Sequence, residues 1–238
     1  MIDLESSDIL TSNYQTVRSQ ISEACQASER LPEDITLLAV SKKHTSAAIE
    51  HIHSLGQGCF GENYVQEGVD KIHGLNTLNI DWHFIGPLQS NKTRVVAENF
   101  NWLHTLDREK IAQRLNDQRP ENLAPLNVLI QVNISDQESK SGISLNEVDT
   151  LAQCIAKLPH LTLRGLMCIP APQETAQLKQ EFLAMQAKFL QLQNQYKDQS
   201  HAKIDTLSMG MSGDLDLAIE CGSTMVRIGT AIFGQRTL

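Results

Sequence analysis

The stretch "ITLLAVSKKHTSAAIEHI", residues 35–52, contains the pattern by which the rest of the chain can be interpreted. Its first part, residues 35–41, is an apolar run of strand length, and a helix-like spacing of apolar residues begins at residue 44. Short apolar runs and helix-period segments then alternate along the chain, which is typical of parallel strands joined by helical crossovers. Continuous apolar runs such as "VLIQV", residues 128–132, are what a sheet buried on both faces requires.

This alternation predicts eight strands in a chain of 238 residues, and a (β/α)8 barrel typically takes about 250 residues. An open doubly wound sheet would usually contain a longer linker or a topological switch, and the sequence contains neither. We therefore predict an α/β fold, a single (β/α)8 TIM barrel with an extra N-terminal helix, in which residues 1–238 form one domain. The predicted strands are 35–41, 59–63, 82–86, 102–106, 126–133, 162–169, 206–210 and 225–234. The predicted helices are 7–30, with Ser7-Asp8 as its cap, 44–55, 63–73, 91–99, 107–118, 144–157, 174–197 and 213–221.

The composition argues against several classes of protein. A net charge of −8 and a pI near 5.5 disfavour binding to nucleic acids or acidic membranes. The chain contains no apolar run of about 18 residues that could span a membrane, and its acidic N-terminus lacks the features of a secretory signal. The five cysteines form no C-x-x-C motif, so we expect reduced thiols and a cytoplasmic protein.

Two familiar patterns are misleading in this chain. Residues 56–61 fit G-x-G-x-x-G, but a dinucleotide site needs these glycines to follow a strand and open a helix. Here they close a helix and enter a strand, and Gly56 is placed as a helix C-cap. The histidines His51 and His53 are two residues apart and point to different sides of a helix. No paired Cys/His motif is present, so we expect no metal.

The active face of such a barrel is formed by the carboxyl ends of the strands and the loops that follow them. Lys42 comes directly after the first strand, and by alternation it shares a face with Val40 and Leu38, whereas Lys43 points the other way. Lys42 is either a solvated surface charge or an amine at the barrel mouth. In the second case desolvation would lower its pKa and make it a nucleophile toward carbonyls.

Small residues after the seventh and eighth strands resemble a phosphate site. Phosphate sites in this fold are commonly built from the loops after these two strands. Residues 210–213, "GMSG", supply backbone that can approach an anion and the hydroxyl of Ser212. Gly229-Thr230 supply the same two elements, backbone and a hydroxyl, from the next strand. Either loop alone is equally well explained by a helix cap and a turn.

Arg227 interrupts the otherwise apolar eighth strand, on the same face as Gly229. A buried guanidinium needs an acceptor, which is either a carboxylate of the protein or a ligand atom. A lysine beside a phosphate site fits a phosphorylated aldehyde, of which pyridoxal 5′-phosphate (PLP) is the obvious example. Arg227 would then face the pyridine nitrogen and keep it unprotonated, which makes the ring a weak electron sink and predicts little catalysis.

Seven motifs along residues 35–236, in this order, give the chain a resemblance to the pyridoxal phosphate homeostasis proteins, also called the YggS or PROSC family. Through this family the chain is similar to the barrel domain of fold-type III PLP enzymes such as alanine racemase. The motifs are "LLAVSK", "FGENYVQE", "WHFIGPLQSNK", "NISDQESKSGI", "RGLMCIPAP", "LSMGMSGD" and "GSTMVRIGTAIFG".

The resemblance implies a PLP-binding protein of vitamin B6 homeostasis with no established catalytic turnover. It implies a Schiff base on Lys42; members often have Thr at the position of Lys43, and the alternation also favours Lys42. It leaves open whether PLP is only buffered or is delivered to PLP-dependent apoenzymes. The other implied cofactor-binding residues are Asn63, Ser212, Arg227, Gly229 and Thr230.

Two enzymatic alternatives remain at this point. One is a racemase-like or decarboxylase-like PLP enzyme, and the other is an aldolase that uses Lys42 directly on a sugar phosphate. The racemase-like enzymes append a β-domain that supplies a second acid or base, typically a tyrosine, from a partner subunit. The chain ends four residues after Gly234, so we expect no such domain and a monomer, and only Tyr64 is expected near the active face.

Overall fold

The computed structural model describes residues 4–137 and 140–235. Its eight strands close into a barrel in sequence order, with β1 paired in parallel to both β2 and β8. The predicted TIM barrel is therefore confirmed. The strands are β1 (Thr36–Val40), β2 (Cys59–Glu62), β3 (Asp81–Phe84), β4 (Trp102–Leu106), β5 (Leu126–Val132), β6 (Leu161–Cys168), β7 (Ala202–Ser208) and β8 (Met225–Ile228).

Helices surround this barrel, and the first of them precedes β1 as expected. Helix α1 already includes Leu4, so the predicted cap at Ser7-Asp8 is wrong, and the hydroxyl of Ser7 instead lies 3.2 Å from Nδ1 of His51. The buried face of α1 packs against α2, α8 and α9. The helices are α1 (Leu4–Ala27), α2 (Ser46–Ser54), α3 (Val65–Gly74), α4 (Thr93–Asn99), α5 (Glu109–Gln118), α6 (Val148–Ile155), α7 (Thr175–Tyr196), α8 (Leu215–Glu220) and α9 (Thr230–Phe233).

The strands are apolar because each of them is covered on both faces. In β5 all residues except Asn127 are buried, since one face packs inside the barrel and the other against the helices. The long helix α7 packs on the outside in the same way and buries Phe182, Met185 and Phe189. No helix in the described part of the chain is both long and apolar enough to cross a membrane.

The predicted eighth strand, residues 225–234, is wrong beyond Ile228. Gly229 turns the chain with φ −116° and ψ −80°, and α9 follows. The apolar run continues because Ile232 and Phe233 are buried on a helix rather than on a strand. Asn13 of α1 donates to the carbonyl of Ile232 at 3.1 Å and fixes this turn. A short buried helix and a short buried strand cannot be distinguished by periodicity alone, which explains the error.

Candidate functional site

A cavity of about 220 Å³ lies at the carboxyl ends of the strands. The structure brings all six sequence-predicted residues together around it, although residues 42 and 230 are 188 positions apart in the sequence. The cavity is lined by Val40, Lys42, His44, Asn63, Ile85, Met167, Ile169, Met211, Ser212, Arg227, Gly229 and Thr230.

The two lysines after β1 have opposite environments. Lys42 is half-buried and lines the cavity. Lys43 is exposed, adopts a left-handed φ of 64°, and places its ammonium 5.9 Å from the ring centroid of Tyr64 on the outer rim. Only Lys42 can therefore present its amine to a molecule in the cavity.

Arg227 is 5% exposed and lies at the base of the cavity. Its Nη1 donates to the carbonyl and the hydroxyl of Ser208 at 2.8 and 2.7 Å, and its Nη2 donates to the carbonyl of Cys168 at 2.8 Å. A guanidinium has five N–H donors, so these three bonds leave two donors. Within residues 4–137 and 140–235 no carboxylate oxygen lies within 4.0 Å of Arg227, which disfavours the carboxylate alternative.

A pair of buried histidines extends from Ser208 into the barrel. Nδ1 of His83 lies 2.8 Å from Nε2 of His104, and Nδ1 of His104 lies 3.5 Å from the Ser208 hydroxyl. The ring of His83 stacks on Trp102 at 4.9 Å. Burial, assisted by the charge of Arg164, lowers the pKa of His83 to about 3. Burial also lowers the pKa of His104, with smaller contributions from His83 and Arg227, so both rings are neutral.

The loops after β7 and β8 supply small residues at the open side of the cavity. Ser212 is exposed and does not cap α8, because Asp214 is the N-cap of that helix. Asp214 accepts instead from the Met211 N–H at 2.6 Å and closes the loop. A Cβ on Gly229 would lie 3.2 Å from the carbonyl oxygen of Val40, so a side chain there would crowd the end of β1. The hydroxyl of Ser212 is thus left for a molecule in the cavity.

Asn63 has a side-chain oxygen that accepts no hydrogen bond from the described residues. Its Oδ1 is buried and has no hydrogen-bond partner among the described residues. Its backbone is held by a close approach from the loop after β3, since a Cβ on Gly86 would lie 2.0 Å from the Asn63 carbonyl oxygen. A buried polar atom without a partner is costly, so this oxygen is available to a molecule in the cavity.

A larger cleft, of about 770 Å³, lies outside the barrel. It includes Ser212 but neither Lys42 nor Arg227, and acidic side chains such as Glu23, Asp216 and Glu220 line it. Such a cleft repels an anionic ligand, so the smaller cavity is the candidate site. The described residues contain no group of three or more His, Cys, Asp or Glu side chains that could hold a metal ion.

Comparison with known proteins first defines a class. Residues 8–237 match the family described as the alanine racemase N-terminal domain, which agrees with the barrel and its lysine-containing mouth. Within that class, the curated relatives are more specific. The pyridoxal phosphate homeostasis protein of Escherichia coli K12 is 58% identical over 229 residues, covering 94% of this chain and 95% of the relative. That of Haemophilus influenzae is 57% identical over 227 residues, covering 94% of each.

The chain therefore belongs to the pyridoxal phosphate homeostasis protein family, and the resemblance found in its motifs is confirmed. A solved structure agrees. PipY of Synechococcus elongatus, with PLP bound, superposes with a TM-score of 0.76 at 34% identity, covering 90% of this chain and 100% of PipY.

Proposed function

We propose that this chain binds PLP in the cavity, holds it as a Schiff base on Lys42 without catalytic turnover, and serves intracellular vitamin B6 homeostasis. The observation that carries the proposal is the convergence of one lysine, a donor-only arginine and two small polar loops on a single cavity. The names of the relatives and the PLP-bound PipY support the same ligand.

The aldehyde of PLP supplies a carbonyl that reacts reversibly with an amine, forming a C=N bond and releasing the aldehyde oxygen as water. The protein supplies the amine at Lys42 and the surroundings that orient the ring. Ser212, Gly229 and Thr230 would hold the phosphate with hydroxyl and backbone donors, since these small residues let the backbone approach an anion. Arg227 would donate to the pyridine nitrogen.

The dimensions and polarity of the cavity suit such a ligand. Pockets for drug-sized molecules are about 300–1,000 Å³, so a cavity of about 220 Å³ fits a molecule with one ring. Val40, Ile85 and Met167 give it apolar walls for the faces of that ring. The unsatisfied Oδ1 of Asn63 is available to a ring substituent.

The absence of turnover is inferred from the groups around the cavity. Arg227 cannot give up its proton, so a ring nitrogen facing it stays unprotonated and withdraws electrons weakly. Of the three tyrosines, Tyr14 and Tyr196 are buried on helices, and Tyr64 is 51% exposed over Lys43. Among the cavity-lining residues none is a tyrosine that could act as a second acid or base.

The cellular compartment and the partners are inferred from the thiols and the charge of the chain. The five thiols are free, which suits the reducing cytoplasm. A net charge of −8 disfavours nucleic acid and acidic membranes as partners. We propose that the partners are PLP itself and PLP-dependent apoenzymes that receive it. We propose that the chain acts as a monomer.

The proposal is tested by the spectrum and the labelling of the purified protein. We expect a yellow protein, and borohydride reduction followed by peptide mapping should place a pyridoxyl group on Lys42. A colourless protein that cannot be reconstituted with PLP would exclude the proposal. Label on Lys43 would change only the residue. Racemisation of any amino acid in a panel at an ordinary enzymatic rate would overturn the absence of turnover.

Ser212→Ala should weaken PLP binding at least about tenfold, because a hydrogen bond to a charged acceptor contributes about 1.5–3 kcal/mol. The dissociation constant is measured by titrating the ligand-free protein and following absorbance. Ser212→Thr, which keeps the hydroxyl, is the matched control and should bind within about twofold of wild type. Equal constants for wild type and Ser212→Ala would rule out this contact.

A further inference from the structure

A buried ammonium lies behind the candidate site, between the barrel and α3. Lys71 is 6% exposed, and its Nζ lies 2.7 Å from Oε1 of Glu62, 2.7 Å from Oε1 of Glu67 and 2.8 Å from the carbonyl oxygen of Ser41. An ammonium has three donors, so Lys71 is saturated by these three acceptors. A saturated buried amine is not a competing nucleophile, and its effect on the site must pass through its partners.

The peptide unit before Lys42 is held by this cluster through Ser41. The Ser41 carbonyl accepts from Lys71, and the Ser41 hydroxyl donates to Oε1 of Glu62 at 2.6 Å. Both Ser41 and Glu62 are fully buried, so neither contact competes with water. The end of β1 is therefore tied to the end of β2 and to α3 at the residue that precedes the reactive lysine.

The peptide unit after Lys42 is held by the same cluster from the other side. The Lys43 N–H donates to Oε1 of Glu67, which is also an acceptor for Lys71. Lys43 has a φ of 64°, a left-handed conformation that is unfavourable for a residue with a side chain and persists only where surrounding contacts maintain it. The bond to Glu67 is such a contact.

We propose that Lys71 is a positioning residue for Lys42: through Ser41 and Glu67 it fixes the backbone on both sides of that lysine and so directs the amine into the cavity. This rests on the proposed function, since it assumes that Lys42 is the residue that captures the ligand. It assigns a role in that function to a residue outside the cavity, because Lys71 does not line the cavity.

The alternative is that the cluster only stabilises the fold. The two roles can be separated by a variant in which the loss of the Lys71 charge is balanced by the loss of a carboxylate charge. Removing Lys71 alone leaves two carboxylates facing each other, and burial already raises the pKa of Glu62. Because of this uncompensated charge, the single variant Lys71→Met is not a suitable comparison with wild type. The double variant Glu62→Gln/Lys71→Met removes one charge of each sign, so it keeps the packing and removes the ammonium that links Ser41 to Glu67.

The experiment compares wild type, the double variant Glu62→Gln/Lys71→Met and the single variant Glu67→Gln. Gln66→Ala is the matched control on the same helix, because Gln66 bonds to Asp70 at the surface, at 2.9 Å, and not to the cluster. Hydrogen exchange of the Lys43 amide is measured in the ligand-free proteins. The rate at which PLP and borohydride label Lys42 is measured separately.

In both cluster variants the Lys43 amide should exchange about tenfold faster, because its hydrogen bond to Glu67 loses either the Lys71 ammonium that holds the acceptor or the charge of the acceptor. Labelling of Lys42 should slow by a similar factor, and Gln66→Ala should match wild type in both measurements. A double variant that unfolds like wild type and keeps wild-type exchange and labelling would overturn the proposal. If the double variant does not fold, Glu67→Gln decides by the same criteria.

Failure of the proposed function is distinguishable from failure of the clamp. If the wild-type protein itself takes no label at either Lys42 or Lys43, the proposed function is wrong. Because the exchange measurement uses ligand-free protein, faster exchange in Glu67→Gln would still support the backbone clamp, and unchanged exchange would still exclude it.

Discussion

Replacement of Lys42 by alanine is expected to abolish the covalent capture of PLP completely. No other lysine lines the cavity in the described chain, and the neighbouring Lys71 has all three donors engaged. The amine of Lys42 is also the only group there that can form a C=N bond with the ligand aldehyde. The purified variant should be colourless, and borohydride should leave no pyridoxyl group on its peptides.

Lys43→Ala is the matched control for this result. The Lys43 side chain lies outside the cavity over Tyr64, and its backbone N–H, which contacts Glu67, is retained in alanine. We expect wild-type colour and labelling at Lys42. Loss of the label in Lys43→Ala, with retention in Lys42→Ala, would reverse the assignment of the two lysines.

Gly86→Ala is expected to destabilise the fold strongly while keeping every polar group of the site. The new Cβ would lie 2.0 Å from the carbonyl oxygen of Asn63 and 2.7 Å from its carbonyl carbon. Both are backbone atoms, so no side chain can rotate to relieve the contact. We expect a loss of about 3 kcal/mol in the free energy of unfolding, at the upper end of the usual range for overpacking.

Because Asn63 lines the cavity, the same shift should weaken PLP binding, and urea unfolding and PLP titration would measure the two effects. Gly58→Ala is the matched control. A Cβ at Gly58 has no atom within 4 Å, and this glycine has no left-handed backbone. It should unfold within about 0.5 kcal/mol of wild type. Equal stability of Gly86→Ala and Gly58→Ala would contradict the close approach.

The barrel was predictable because its signal is distributed over the whole chain. Most strands are buried apolar runs between helical segments, and an error at one boundary, as at Ile228, does not change the architecture. The grouping of Lys42, Ser212 and Arg227 was predictable for a related reason. The carboxyl ends of all parallel strands meet at one face, so the order of the elements alone places these residues together.

The buried supports of the site could not be predicted in the same way. Lys71 follows the helical period of α3 like any surface lysine, and only the three-dimensional packing turns it toward Ser41 and Glu62. The histidines of β3 and β4 occupy alternate positions in strands, so a histidine facing inward has the same pattern as one facing outward. Their pairing depends on the register between β3 and β4, which no local pattern encodes.

That histidine pair forms a chain of hydrogen bonds, or proton wire, beneath the cavity with Arg227 and Ser208, and each hydrogen bond in it has a defined direction. Arginine can only donate, so the Ser208 hydroxyl must accept from Arg227. Its own proton then points to Nδ1 of His104, Nε2–H of His104 donates to Nδ1 of His83, and both rings are held in the Nε2–H tautomer. Every donor in this wire points away from the cavity. These four residues can therefore pass no proton toward the cavity unless every hydrogen bond of the chain reverses its direction.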